Sequence, residues 1–335
     1  MWPALEQQSL TSFMQGGSTG AMVGQARNAR DSGRQQGGLL PDGEGQAAFD
    51  LFRSRPSAIP VMIAVPHAGR RYPSSLLAQM RFPDQATLRL EDRLADVLAH
   101  KIADQTGATL LVSHAPRAMI DLNRSPDDMD WEMVADGSPA RTPRLAAGRR
   151  ARSGLGLVPR RLSGMGEIWK RRMLVEELDA RIELVHKPYH AALSHGLETL
   201  RDRWGSALLI DLHSMPPLGP KSGYSPSPDF VVGDRYGASC GANLSLIAIA
   251  HIECLGRSVA HNRPYAGGYV LERHSAPARG IHALQLEVCR TAYLDADLTD
   301  PGDGLEEVAG LLANCVRRLA DELLSGSRSL PQAAE

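Results

Sequence analysis

Short runs that are apolar at every position alternate along this chain with longer stretches whose apolar residues recur every three or four positions. The run Ile59-Pro60-Val61-Met62-Ile63-Ala64-Val65 ends in Pro66-His67-Ala68-Gly69 and predicts a buried strand entering a loop. Over 86–106, Leu90, Leu94, Val97, Leu98 and Ile102 keep helical spacing until Gly107, which predicts one amphipathic helix. Ala108 to Ser113 reads as a second strand, and Met119-Ile120-Asp121-Leu122 as the start of a third that ends in Asn123-Arg124. A helical block over 167–204, interrupted at Pro188 and stopped by Gly205, leads into Ala207-Leu208-Leu209-Ile210-Asp211-Leu212-His213. The strand Phe230 to Val232, a helix over 240–255, the strand Ala283 to Val288 and a last helix over 305–324 complete the pattern. Strands apolar on both faces alternate with helices, so the expected fold is α/β, a mixed, mostly parallel sheet covered by helices on both faces.

The first 46 residues break this pattern. They are rich in Gly, Gln, Ser and Ala and show neither period, so 1–46 is expected to be a flexible leader, 47–328 a single α/β hydrolase domain and 329–335 a flexible tail. A chain that is 43% hydrophobic and 22% charged can fill a large core, which excludes wholesale disorder. The net charge of -1 argues against a protein whose main work is holding polyanions. Cys240, Cys254, Cys289 and Cys315 form no close pair, so neither a zinc knuckle nor a disulfide framework is indicated. With neither a signal segment nor a long apolar run, the expected location is the cytoplasm, with no membrane partner.

In open α/β sheets the ligand crevice lies beyond the carboxyl ends of strands. His67, Asn123-Arg124, His213 and Glu287 all sit at or near such ends. Two neutral imidazoles and a carboxylate make a three-ligand catalytic zinc set with a position left open, and His67 and His213 fit the imidazole roles. Asp211 leaves the same strand as His213 on the same side and either orients an imidazole through its free N–H or caps a loop. Glu287 lies in an otherwise apolar strand, where partial burial raises a carboxyl toward the range of a general base; an ion pair with Arg290 is the alternative.

Four segments occur in order: Val65-Pro66-His67-Ala68-Gly69, Pro116 to Arg124, Asp211-Leu212-His213-Ser214-Met215-Pro216 and Asn262-Arg263-Pro264-Tyr265-Ala266-Gly267-Gly268. With Lys187-Pro188-Tyr189-His190, Gly233-Asp234-Arg235-Tyr236-Gly237 and His282 to Glu287, they resemble the N-formylglutamate amidohydrolase family over residues 50–298. The resemblance implies a zinc-carboxypeptidase-like fold, also similar to aspartoacylases, with one Zn2+ at the strand ends. It implies Asp92 as the third ligand beside His67 and His213, with Asp96, one turn on, as the alternative or as support, because Arg70 stands where carboxypeptidases carry a Glu ligand. It also implies Glu287 as the base that moves a proton from water to the leaving amine. The implied substrate is a small N-acyl amino acid with two carboxylates, N-formyl-L-glutamate, degraded to formate and L-glutamate.

Arg124, with Asn123 beside it, is the expected carboxylate fork, with Arg117, Arg279 and Arg290 as further candidates. Tyr265 lies in a glycine-containing loop suited to a lid or to a tight hairpin, and His274 and His282 are candidates to stabilise an oxyanion. Residues 137–172 carry ten Arg and Lys against a single acid, Glu167. That run reads as a loop, containing Gly154-Leu155-Gly156, that makes the cleft positive; the alternative is a nucleic-acid or acidic-partner surface on a non-catalytic fold.

Overall fold

A computed structural model describes residues 33–135, 148–219 and 227–328. The apolar runs form the middle of an eight-stranded sheet. Its strands are β1 (Arg34–Gly37), β2 (Phe49–Phe52), β3 (Val61–Val65), β4 (Thr109–Ser113), β7 (Ala207–Met215), β8 (Phe230–Gly233), β9 (Val259–His261) and β10 (Ile281–Cys289), while β5 (Arg161–Leu162) and β6 (Gly166–Glu167) form a separate small hairpin. The spatial order is β1-β2-β4-β3-β7-β10-β8-β9. The pairs β3/β4, β3/β7, β7/β10 and β8/β9 are parallel, and β1/β2, β2/β4 and β8/β10 are antiparallel. The sheet is therefore mixed and mostly parallel, as the apolar runs imply.

Both sheet faces are covered. Ala95–Thr106, Ala242–Cys254 and Leu305–Arg328 pack on one, where Val61, Ile63, Leu208, Ile210, Leu212 and Leu284 point. Pro83–Leu90 and the long segment from Val175 to Trp204 pack on the other, against Met62, Ala64, Leu209 and Ala283. On that second face the side chains of β7 and β10 change from apolar to ionisable toward their carboxyl ends. Asp211 and His213 follow Leu209 at the strand period of two, with Gln285 directly across from Asp211 and Glu287 across from His213.

Several expectations are corrected. The leader does not reach residue 46: Arg34–Gly37 adds an edge strand to β2, and Leu40, Ala47 and Ala48 are buried. A short polar edge strand held by backbone pairing leaves no hydrophobic period to read. Residues 1–32, the 329–335 tail and Arg141 and Arg144 of the basic run lie outside the described residues. Met119 to Leu122 is not a strand but a buried series of turns. The helix expected over 86–106 is two, Pro83–Leu90 and Ala95–Thr106, separated at 91–94, where Leu94 takes φ 55°. The block around Pro188 is one long rod. A π-helical turn, Ile182–His186, joins its two α-helical parts, and Pro188 sits in the first turn of the second.

Candidate functional site

Three segments bring ionisable groups to the carboxyl edge of the sheet. His67 follows β3, His213 lies near the end of β7, and Asp92 sits in the break between the two helices. The break is fixed from several sides. Asp92 N–H donates to His67 O (2.9 Å), Tyr293 Oη donates to Arg93 O (2.6 Å), and Arg290 reaches the Glu91 carbonyl with Nη2 and Ser214 Oγ with Nε (3.1 Å). A continuous helix would have bonded these groups internally and carried Asp92 away from His67.

One ligand atom from each of His67, Asp92 and His213 lies within 4.8 Å of the others, and all three residues are buried. His213 Nδ1 is 2.8 Å from Asp92 Oδ2, and His67 Nδ1 is 3.5 Å from the same oxygen. Each imidazole turns its other nitrogen to a further aspartate: His67 Nε2 to Asp121 Oδ1 at 2.7 Å, and His213 Nε2 to Asp211 Oδ2 at 3.0 Å. Asp121 is itself fixed, accepting from Arg117 Nε (2.9 Å) and from the Asn123 N–H (2.9 Å). The Asn123 side chain bridges onward, with Nδ2 3.4 Å from His213 Nε2 and Oδ1 accepting from Val270 N–H at 2.9 Å.

The electrostatics of this cluster call for positive charge. Burial works to raise the Asp92 carboxyl, yet the hydrogen bond from His213 and the proximity of the His67 ring hold it below its ordinary range. Burial likewise opposes protonation of His213, but Asp211 and Asp92 overcome it and push the imidazole well above its ordinary value. Asp121, also buried, is held low by Arg117 and His67. His67 Nδ1 is buried without a hydrogen-bond partner while facing the Asp92 oxygen. That orphaned lone pair and the N,N,O donor set fit a divalent cation such as zinc, and each imidazole's second nitrogen faces a carboxylate, as metal-binding histidines usually arrange.

Glu287, across from His213, is buried and accepts from Gln285 Nε2 at 2.9 Å. Burial raises its carboxyl to about 7, with His213 opposing and Asp92 adding to the shift. Its expected alternative partner, Arg290, instead serves the 91–94 break and lies 4.0 Å from Asp92 Oδ1. The half-buried Tyr265 packs against Met215, Val231 and Cys289, and burial, with Glu287 and Asp92 near, raises its phenol.

The other expected residues go elsewhere. Asp96 forms a two-pronged pair with Arg70 (2.7 and 2.9 Å), so the Arg at the carboxypeptidase Glu position has its own carboxylate and the trio does not include Asp96. Arg124 gives Nε to Leu155 O (3.0 Å) and Nη1 to Asn123 O (2.8 Å), which spends two of its donors on the loop. Arg279 pairs with Glu198 at the surface. His282 points to the sheet face opposite Glu287 and accepts from Gly241 N–H at 3.2 Å. His274 is buried against His190 (Nε2 to Nδ1, 2.8 Å), whose Nε2 reaches Leu122 O at 3.1 Å, while His186 Nε2 reaches Arg124 O at 2.9 Å. These histidines hold the carbonyls on either side of Asn123.

Asp121, Arg117, Gln285 and this histidine cluster were not assigned these roles from the sequence. For Asp121, Arg117, Gln285 and His190 the one textual signal is membership in the ordered segments, and His186 and His274 lie outside them. Two motif glycines have a visible cause: a Cβ on Gly69 would lie 2.0 Å from Ala115 O, and one on Gly268 2.5 Å from Asn123 Oδ1.

A family model described as N-formylglutamate amidohydrolase matches residues 59–294. A protein named N-formylglutamate deformylase from Pseudomonas putida is 29% identical over 270 residues, 80% of this chain and 93% of the relative. A protein of the same name from Pseudomonas aeruginosa is 26% identical over 277 residues, 81% and 94% of the two chains. The crystal structure of N-formylglutamate amidohydrolase from Ralstonia eutropha JMP134 is similar with a TM-score of 0.76 and 31% identity, over 84% of this chain and 100% of that one. A gene product of Agrobacterium tumefaciens shares the fold at 17% identity, with a TM-score of 0.60 over 87% and 100%.

Proposed function

The chain belongs to the N-formylglutamate amidohydrolase family, and from that premise we propose that it is a metal-dependent hydrolase that converts N-formyl-L-glutamate to formate and L-glutamate. The observation that carries this reading is the convergence of His67, Asp92 and His213, with each imidazole backed by its own aspartate. These three residues would hold one divalent ion, with zinc the best match to the donors. When bound, such an ion supplies Lewis acidity, polarising a carbonyl and making a water acidic near neutral pH.

The chain's own residues do the rest. The Glu287 carboxylate takes a proton from the water that attacks the formyl carbon, and returns it to the glutamate nitrogen as the C–N bond breaks. A carboxyl raised to about 7 suits both halves of that transfer. Asp121 fixes the tilt of the His67 ring and Asp211 sets a charge 3.0 Å from His213 Nε2, while Asn123, held by Val270 N–H, lies beside His213. Arg117, bonded to Asp121 and close enough to Asp92 and Glu287 to feel both charges, balances the acids around the reacting centre. Release of the free amino acid measured across N-formyl, N-acetyl and N-succinyl amino acids, with metal analysis of the same sample, tests the reading. N-formylglutamate should lead the panel, and a preference for another acyl group would reassign the substrate.

A further inference from the structure

Beside the metal-binding trio, a cleft of about 470 Å³ opens between the end of helix Pro83–Leu90, the β5/β6 hairpin and Pro216, just past β7. That volume falls within the range usual for small-molecule sites, roughly 300–1,000 Å³. Three guanidinium groups line it: Arg89, Arg161 and Arg290, with Leu155 and Pro216 as apolar wall. Arg290 joins the cleft to the trio, since its Nη2 lies 4.0 Å from Asp92 Oδ1.

Arg89 and Arg161 have no carboxylate partner among the described residues. Each gives Nη2 to a backbone carbonyl, Arg89 to Ser163 (2.8 Å) and Arg161 to Arg152 (3.1 Å), which orients the fork. Each keeps other N–H donors uncommitted. Glu167, across from Arg161 in the hairpin, gives its carboxylate to Arg160 instead, as do Asp130 and Glu132. Acids are therefore at hand in this region and neutralise its neighbouring arginine, while the two that face the cleft stay unneutralised. Arg124, the residue the sequence marks as the carboxylate fork, lies behind this wall with Nε on the Leu155 carbonyl.

We propose that Arg89 and Arg161, with Arg290 at the inner wall, form the subsite for the distal carboxylate of an acidic N-acyl amino acid. The inference rests on the hydrolase reading for the identity of the substrate, but not for the existence of an anion site. Arginine forks favour planar, bidentate carboxylates, and recognition of a second carboxylate separates glutamate from its amide and from apolar amino acids.

Binding without turnover gives the cleanest test. Titration calorimetry on the full chain compares glutarate, a dicarboxylate of glutamate length, with butyrate, which lacks the second carboxylate. The wild type should prefer glutarate by about tenfold or more, the worth of one charge-assisted contact. The Arg89→Gln, Arg161→Gln double variant should lose that preference. It should also lower the ratio of kcat/KM for N-formylglutamate over N-formylglutamine by about tenfold, most of it in KM. Lysine at both positions should restore part of the preference. Both side chains are exposed, so the variant is expected to fold. A glutarate preference that survives in the double variant overturns the subsite. If the wild type releases no formate from either substrate while glutarate binding still depends on the two arginines, the hydrolase reading falls and the subsite stands.

Discussion

Glu287 and His213 face each other across two parallel strands, which lets a carboxyl with its pKa near neutrality stand beside a candidate metal ligand. The proton-transfer role makes the sign of the pH dependence definite. Glu287 must be ionised to accept a proton, so kcat/KM should fall as pH drops through about 7, and this acid limb should vanish in Glu287→Gln. That substitution keeps the shape and removes the acceptor, and should lower kcat by roughly two orders of magnitude with metal content unchanged. Near-normal kcat in the variant would place the base elsewhere. His67, His213 and Glu287 were legible in the sequence because each is a polar interruption at or near the end of an apolar strand. Asp92 was legible only through family resemblance. Its place depends on a helix break whose cause is tertiary: the contacts from Arg290, Tyr293 and the His67 carbonyl.

Turns, rather than strands or helices, carry much of the site's support. The His67 loop and the turns after Ala115 touch at Gly69, where a parallel bridge pairs Gly69 with Pro116 and leaves no space for a Cβ. Gly69→Ala should cost about 1–3 kcal/mol of stability and loosen metal affinity, read by denaturant unfolding and by metal titration. Unchanged values for both would show that the loops separate freely. The buried histidines behind the 122–124 turns give the fold an acid weakness. Burial lowers His190 and His186 and brings His274 to about 3. In the unfolded chain these rings take up protons near pH 6.5, while the folded rings stay neutral, so the unfolded state binds more protons and stability falls as pH drops below about 6.5. Each such ring contributes a slope of roughly 1.4 kcal/mol per pH unit until its folded pKa is reached. His213, raised in the fold, is protonated in both states below about 6.5 and has its opposite slope only above that, so a difference measurement isolates the effect. Urea unfolding of His274→Asn between pH 7 and pH 5 should show a shallower loss than the wild type, and an identical slope would dissociate this ring from acid lability.

At the scale of the whole molecule, the alternation of apolar runs and helical stretches was enough to give the layered sheet. It failed where backbone pairing or tertiary contact replaces side-chain pattern: the β1 edge strand, the 119–124 turns and the 91–94 break. Deletion through residue 46 removes β1, the buried Leu40 and the Leu39 N–H bond to Leu184 O, and should cost about 2 kcal/mol or more, measured by thermal unfolding. An unchanged melting temperature would return that segment to the status of a leader. The basic run is divided in the fold. Arg160 and Arg171 are neutralised by Asp130, Glu132, Glu167 and Glu177, while Arg161 faces the cleft, which favours a small dianion over a nucleic acid. All of these roles rest on the metal-dependent hydrolase reading, and metal content measured alongside formate release tests it most directly. Purified protein should carry about one equivalent of a divalent metal, lose formate release from N-formylglutamate when a chelator removes it, and recover on addition of zinc; His213→Ala should fold without metal or activity. Full activity in protein shown to be metal-free would contradict the account.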